Sequence, residues 1–410
     1  MTRARGILFL SHDATRTGAP VVLLSFIKWL KANTDFRFAI LLRGGGPLER
    51  EFSALGPTVS LAPKKPWITW PGRIISRFFP VEAWEQARLI QKVFAGQHYD
   101  LIYSNTITNG DVLRCLGKHD RPTITHVHEM DYWIRRSGKE NLAKVKRHTS
   151  NYIAASEAVR EHLVSNCGIS HDQIRVIKEF IETLPPLPSN NDRLRARKAL
   201  GIPEQAFVIG ACGAEYWRKG RDLVVHLLVA LKRQNISHPV HFVWVGASAT
   251  DEQSYEMTFD LRKAGVHSCV HFTGEVTNVF ECYASFDVFA LLSRNDPFPL
   301  VCLEAAAMGI PILCFKGAGG IPEFVEEDCG FVVPYLDLDA MAAKASLFHL
   351  RPELKLDYGR AARRKVSQGY TVNIIAPKLL SVIEEQIRGS KSLLTPHSPD
   401  RRVGEGTRIC

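Results

Sequence analysis

No stretch of this 410-residue chain approaches the about 18–20 continuous apolar residues that a bilayer-spanning helix requires, so the sequence offers no transmembrane segment. Its nine cysteines lack any pairing pattern. They are odd in number, scattered, mostly set in apolar runs, and form no Cys-x-x-Cys or Cys/His ligand spacing. Buried thiols in a reducing cytosol fit that distribution better than disulfides or zinc. The N-terminal apolar run is only a strand long before His12-Asp13, and no small-residue cleavage site follows, so no signal peptide is expected. No segment carries an RNA- or DNA-reading signature, and nucleic acid is not an expected partner. What is present is ordinary for a soluble globular protein: 45% hydrophobic and 23% charged residues. The length exceeds a single core and implies about two to three domains.

The formal net charge of +10 calls for an anionic partner such as phosphate or an acidic membrane surface. Much of the positive charge lies in the first half, where Lys64, Lys65, Arg73, Arg77, Arg135 and Arg136 are interleaved with Trp67, Trp70, Phe78, Phe79 and Trp133. The stretch Trp67–Phe79 suits a lipid headgroup layer, as a peripheral membrane contact; it equally suits an insertion whose aromatics pack on the domain while its cations are solvated.

Strand and helix patterns alternate along the chain, the signature of an α/β protein with doubly wound parallel sheets. The first half reads as strands at 6–10, 37–42, 101–103, 123–127 and 152–155, with helices at 21–31, 81–95 and 156–166, the last capped by Ser156. Leu184-Pro-Pro-Leu-Pro-Ser-Asn-Asn191 reads as a linker. A second half restarts at Phe207 and carries strands at 241–245 and 270–272. The resulting division is an N-terminal Rossmann-like domain (1–182), a linker with the helix leading out of it (183–205), a C-terminal Rossmann-like domain (206–371), a helix at 372–388 and a disordered tail (389–410).

The most informative segment is Ser293-Arg-Asn-Asp-Pro-Phe-Pro-Leu-Val-Cys-Leu-Glu304 and its continuation to Ile312. A buried-strand run (286–292) precedes it, Pro297 suits the first turn of a helix, and Gly309-Ile-Pro311 ends that helix. Asp296 thus falls in a loop and Glu304 on the helix, with seven residues between them. A second strand, 311–315, leads to the glycine-rich turn Gly317-Ala-Gly-Gly320. Such a strand, helix, strand unit sets a helix N-terminus and bare backbone N–H groups beside an anionic ligand.

This phrase resembles the nucleotide-sugar site of retaining family-4 (group 1) glycosyltransferases of the bacterial polysaccharide type, whose pattern is E-G-F-G-L-V-x-L-E-A-M-A-x-G-x-P-V followed by G-G-x-x-E. Here Asp296 replaces the first Glu, and Pro299 replaces a Gly. Gly213-Ala-Glu-Tyr-Trp-Arg-Lys-Gly220 matches the spacing of the family's G-R-L-x-x-x-K-G turn, with Ala214 in place of its Arg. Thr17-Gly-Ala-Pro20 matches its first glycine loop, and His126-Val-His-Glu129 its V-H-D/E segment. The resemblance covers roughly residues 6–387 and implies the GT-B architecture, two Rossmann-like domains facing across a cleft. It implies an acceptor-binding first domain, a donor-binding second, and a last helix that crosses back to the first.

Carried onto this chain, the resemblance implies that Lys219 and Arg218 meet the donor pyrophosphate and that Glu304 binds the ribose. Asp296 would bind the sugar, and His128 would lie beside the transferred unit. The donor surface would be completed by Gly18, Ala19, Pro297, Phe298, Leu300, Val301, Gly319 and Gly320. Asn105 and Glu129 would stand on the acceptor side, Glu129 orienting either a loop or an acceptor hydroxyl. His126 and His128 point to one face of a strand, yet no further ligand comes with metal spacing, and no metal or other cofactor is expected. The implied reaction moves a hexosyl unit, with retention, from a nucleotide diphosphate sugar to a hydroxyl of a glycan or lipid-linked acceptor. Its expected place is cytoplasmic, at or near the inner membrane face. An epimerase or hydrolase on the same fold, or a non-catalytic partner protein, are the rival readings; donor base, sugar, acceptor and oligomeric state are not legible.

Overall fold

The computed structural model describes residues 5–61, 99–117, 121–214, 217–234, 236–248 and 252–394. The aromatic and basic stretch Trp67–Phe79, the helix expected at 81–95 and residues 395–410 lie outside the described residues.

Two parallel sheets organise the chain. The first contains β1 (Gly6–Ser11), β2 (Arg37–Leu42), β3 (Thr58–Ser60), β4 (Leu101–Ser104), β5 (Thr123–Val127), β6 (Asn151–Ala154) and β7 (Ile174–Val176), in the order β3-β2-β1-β4-β5-β6-β7. The second contains β8 (Phe207–Cys212), β9 (Val240–Val245), β10 (Val270–Phe272), β11 (Val288–Leu291), β12 (Ile312–Phe315) and β13 (Gly330–Val333), in the order β10-β9-β8-β11-β12-β13. The central strands β1, β4, β11 and β12 are buried along their whole length, as parallel strands covered by helices on both faces must be. Their runs of Ile, Leu, Val and Phe are the sequence form of that burial. Each sheet reverses its winding once, between β1 and β4 and between β8 and β11. Those are the points where loops leave the strand ends in opposite directions and open a crevice.

The helix Val372–Leu394 returns to the first domain. Val372, Ile375, Ala376, Leu379, Ile383 and Ile387 share a core with Val22, Leu23, Phe26 and Ile27 of the helix Gly18–Asn33. The return begins where Ile181 pairs with Thr371, the Ile181 N–H donating to the Tyr370 carbonyl (3.0 Å). That helix extends to Leu394, past residue 389 where the tail was expected, because its helical pattern continues through Ser390 and Lys391. Among the described residues, no helix is long and apolar enough to cross a membrane.

Three short strands, β3, β7 and β13, were not read from the sequence. Each has three or four residues, too few for period-2 alternation to declare itself.

Candidate functional site

Most of the chemically suggestive residues sit beyond the C-terminal ends of strands. Asn105 follows β4, His128 follows β5, Ser156 lies beyond β6 and Glu179 beyond β7. In the second domain Lys219 lies on the turn after β8, Asp296 beyond β11, and Gly319 and Gly320 beyond β12. The two sets face each other. A Cβ built on Gly18 would lie 3.9 Å from Leu300, and the Ser156 hydroxyl donates to the Pro297 carbonyl (2.9 Å). Glu323, at the start of the short helix Pro322–Val325, accepts from the Glu157 and Ala158 N–H groups (3.2 and 3.0 Å). A carboxylate from one domain thereby satisfies the orphan donors and positive dipole end of a helix in the other.

The second-domain wall is built around Asp296. Its carboxylate accepts from Lys219 Nζ (2.6 Å) and from Ser293 Oγ (3.0 Å), with the Arg218 guanidinium at 3.6 Å. Burial works to raise this carboxyl, and the two cations beside it outweigh burial and hold it below its usual value. Arg218 also donates to the Asn295 carbonyl (2.9 Å), which anchors its charge beside Asp296. The turn bearing Lys219 depends on Gly220, whose φ is +78° and whose position leaves no room for a side chain: a Cβ would meet the Leu292 carbonyl oxygen at 2.0 Å. Gly319 is equally confined, since a Cβ there would fall 1.6 Å from the Asp296 carbonyl oxygen.

Glu304 lies on the helix Leu300–Ala307, flanked by the fully buried Leu303 and Ala305. The Tyr283 hydroxyl donates to its carboxylate (3.4 Å). Burial pushes the Glu304 carboxyl up to about 7, a pull that the Tyr283 contact only partly offsets.

On the opposite wall, His128 is clamped at both ring nitrogens. Nδ1 meets Glu179 Oε1 at 2.5 Å, and Nε2 meets Asn105 Oδ1 at 3.0 Å. Asn105 in turn donates through Nδ2 to the Ala19 carbonyl (2.8 Å), tying the imidazole to the first turn of the helix that begins at Gly18.

Several expectations change in the structure. Pro297 does not open a helix; the helix starts at Leu300 with Pro299 as its cap residue, and the Pro297 carbonyl is engaged by Ser156 and by the Gly320 N–H (3.0 Å). That same bond, with another to the Asp296 carbonyl, engages the Gly320 N–H that was expected to face a phosphate. Phe298 is buried, stacked on Tyr370 at 5.9 Å with Lys178 of the first domain over its ring at 6.0 Å, so its side chain packs where the domains meet. Val301 packs against the same core, while Leu300 borders both domains. Glu129 orients a loop: its oxygens accept from Thr106 Oγ1, from the Ile107 N–H and from the His128 N–H. His126, His128 and Glu179 bring ligand-type atoms within 4.8 Å of one another, supplying a third group that sequence spacing did not show. Both nitrogens of His128 are engaged, by Glu179 and Asn105, and His126 Nδ1 meets the Tyr103 hydroxyl (2.7 Å), while His126 Nε2 is buried without a hydrogen-bond partner among the described residues. Glu179, Ser293 and Glu323 were not identified as site residues. Glu179 follows a three-residue strand and belongs to no spacing pattern.

Comparison with known proteins agrees with this geometry. Residues 16–183 match the family model described as Glycosyltransferase Family 4, and residues 206–348 match the model described as Glycosyl transferases group 1. The chain is 28% identical over 207 residues to the lipopolysaccharide core biosynthesis mannosyltransferase LpsB of Rhizobium meliloti, covering 48% of this chain and 57% of that protein. It is 27% identical over 243 residues to a D-inositol 3-phosphate glycosyltransferase of Saccharomonospora viridis, covering 57% of this chain and 55% of that protein. The chain thus spans just over half the length of these two curated relatives. The crystal structure of Anabaena HepE in complex with UDP-glucose superposes with a TM-score of 0.76 at 21% identity, over 93% of this chain and 99% of that one, a likeness that shows the fold. With two parallel-sheet Rossmann-like domains meeting at their strand ends and both family models matched in order, the chain belongs to the group 1, family 4 glycosyltransferases of the GT-B fold.

Proposed function

We propose that this glycosyltransferase moves a hexosyl unit from a nucleotide diphosphate sugar to a hydroxyl of a glycan or lipid-linked acceptor, with retention at the anomeric carbon. The observation that carries the reading is the cluster of Lys219, Arg218 and Asp296 just beyond the strand ends of one domain, with Asp296 on the same loop-and-helix unit whose Leu300 lies against Gly18 of the other domain. A leaving diphosphate gains negative charge as the glycosidic bond breaks, so fixed cations aimed at it stabilise the transition state more than the ground state. Lys219 and Arg218 take that part, with the first turn of the helix Gly18–Asn33 supplying N–H groups from the other wall. Glu304 accepts from the ribose hydroxyls, and Asp296 from the sugar. The departing phosphate oxygen takes the acceptor proton on the same face, and the cations do the neutralising that a divalent ion would otherwise do. The relatives' names support polysaccharide or glycolipid assembly as the setting; its place at the cytoplasmic side of a membrane is part of the same proposal.

The test is thermal unfolding of the full chain with a panel of UDP- and GDP-sugars, for wild type, Glu304→Ala and Lys219→Ala. One donor should raise the melting temperature of wild type and of neither variant, and that donor should be consumed only when acceptor is added. Consumption without acceptor would instead identify a hydrolase or epimerase, and no shift with any donor would refute the donor site.

A further inference from the structure

Outside the cation and carboxylate cluster, Glu179 is a buried acid at the site that the reading above leaves without a task. Glu179 reaches the site from beyond β7, with its side chain 5% exposed. Among the described residues, no lysine or arginine pairs with it, and its second oxygen, Oε2, is buried without a hydrogen-bond partner. A buried carboxylate in that situation is met either by a cation or by a proton of its own, and the group at hydrogen-bond distance is His128.

The other side of the imidazole fixes the proton count. The Ala19 carbonyl can only accept, so the amide nitrogen of Asn105 points at it and Asn105 Oδ1 points at His128 Nε2. Oδ1 is also only an acceptor, so Nε2 carries a proton. Nδ1, facing a carboxylate at 2.5 Å, carries one as well when Glu179 is ionised.

We propose that Glu179 is a positioning residue for His128, holding it as a doubly protonated imidazolium anchored at both nitrogens, so that His128 lends positive charge to the transfer and takes no proton from the acceptor. The role in transfer rests on the function proposed above; the protonation state does not. The groups facing His128 are His126, with its ring 4.0 Å away on β5, Glu129 on the following turn, Tyr103 at the end of β4, His12 after β1, and Glu179. Burial opposes the charge on His128, but Glu179, aided by Glu129, outweighs it and raises the imidazole's pKa. His126 and His12 are pushed the other way by their own burial, so His128 is the ring of the three whose surroundings favour the charge.

The direct test is long-range proton–nitrogen correlation NMR of the full chain labelled with nitrogen-15 histidine, between pH 5.5 and 9. His128 is assigned by the signals lost in His128→Gln. The wild type should show both His128 nitrogens protonated at pH 7.5. Glu179→Gln should lower its titration midpoint by at least one pH unit, a tenfold change in proton affinity, while Glu179→Asp restores part of the shift. A single protonated nitrogen at pH 7.5, with the proton resident on Glu179, would overturn the proposal, as would an unchanged midpoint in folded Glu179→Gln. The activity arm uses the donor found by thermal shift: the alkaline limb of kcat should move at least one pH unit toward acid in Glu179→Gln, with KM for donor nearly unchanged. A limb that stays in place while the NMR midpoint moves would overturn the catalytic half of the proposal. Absence of any donor, by contrast, would refute the transferase reading and leave the NMR result standing.

Discussion

Replacing Glu304 with Gln should move stability and donor binding in opposite directions. The carboxyl sits among Leu303, Ala305 and Tyr283, and burial pushes it up to about 7 from an ordinary 4.5. Because the folded-state value lies above the unfolded one, the favourable contribution is complete below pH 4.5 and is lost as pH rises through about 7. A difference of about 2.5 pH units corresponds to roughly 3 kcal/mol, which partial exposure to the cleft reduces to about 1–3 kcal/mol. Gln keeps the shape and can still accept from the Tyr283 hydroxyl, but never ionises. Glu304→Gln should therefore match wild type at pH 4.5–5 and exceed it by about 1–3 kcal/mol at pH 8.5, or roughly 2–10 °C in melting temperature for a domain of this size. The same variant should lose donor-induced stabilisation, because a neutral amide is a weaker acceptor for two hydroxyls. Calorimetry at the two pH values, with and without donor, reads both effects. A stability difference that is the same at both pH values would show that burial does not hold the carboxyl up, and the reasoning would fail.

Asp287→Asn tests a different buried carboxylate, one that accepts from Arg193 (2.7 Å), Arg197 (2.8 Å) and Lys355 (2.6 Å). Burial raises its pKa, but the three cations prevail and depress it to about 2, so its contribution is present above about pH 4 and is lost as pH falls through about 2. The substitution should cost about 3–5 kcal/mol at neutral pH by leaving cations uncompensated, and should flatten the acid limb of the stability curve measured by urea unfolding; an unchanged acid limb would refute the assignment. Gly220→Ala combines a disallowed φ of +78° with a 2.0 Å approach to the Leu292 carbonyl oxygen, and should cost at least about 2 kcal/mol while displacing Lys219. Equal melting temperature and an intact donor shift in that variant would show the turn to be adaptable.

The sheets and the Asp296–Glu304 unit were legible because their information is contiguous. A buried strand, a proline-bounded helix and a glycine turn follow one another in a single run of sequence, and the local rules for each agree. Legibility fails where partners come from distant elements. Phe298 reads as a donor contact from its neighbours in the phrase, but its ring is held between Tyr370, contributed by the end of a helix much later in the chain, and Lys178 of the first domain, partners that no local pattern announces. Glu129 left two roles open, a loop or an acceptor hydroxyl, and only the loop after β4, which folds back and takes up both oxygens, shows the first. Glu179 gives no signal at all, because its importance arises only when β5 and β7 bring it beside His128. Glu323 lay inside a recognised motif, but its bond to the helix Glu157–Ser165 belongs to domain docking, which no local pattern encodes.

The return of the helix Val372–Leu394 into the first domain has a consequence for how the chain is made. The apolar face of the helix Gly18–Asn33 is synthesised early, but the residues that cover it, from Val372 to Ile387, leave the ribosome only after the whole second domain has been translated. The first domain to emerge is thus the last to be complete, and until residues 372–387 are made, part of the apolar surface of its first helix stays open to any chaperone or nascent chain nearby.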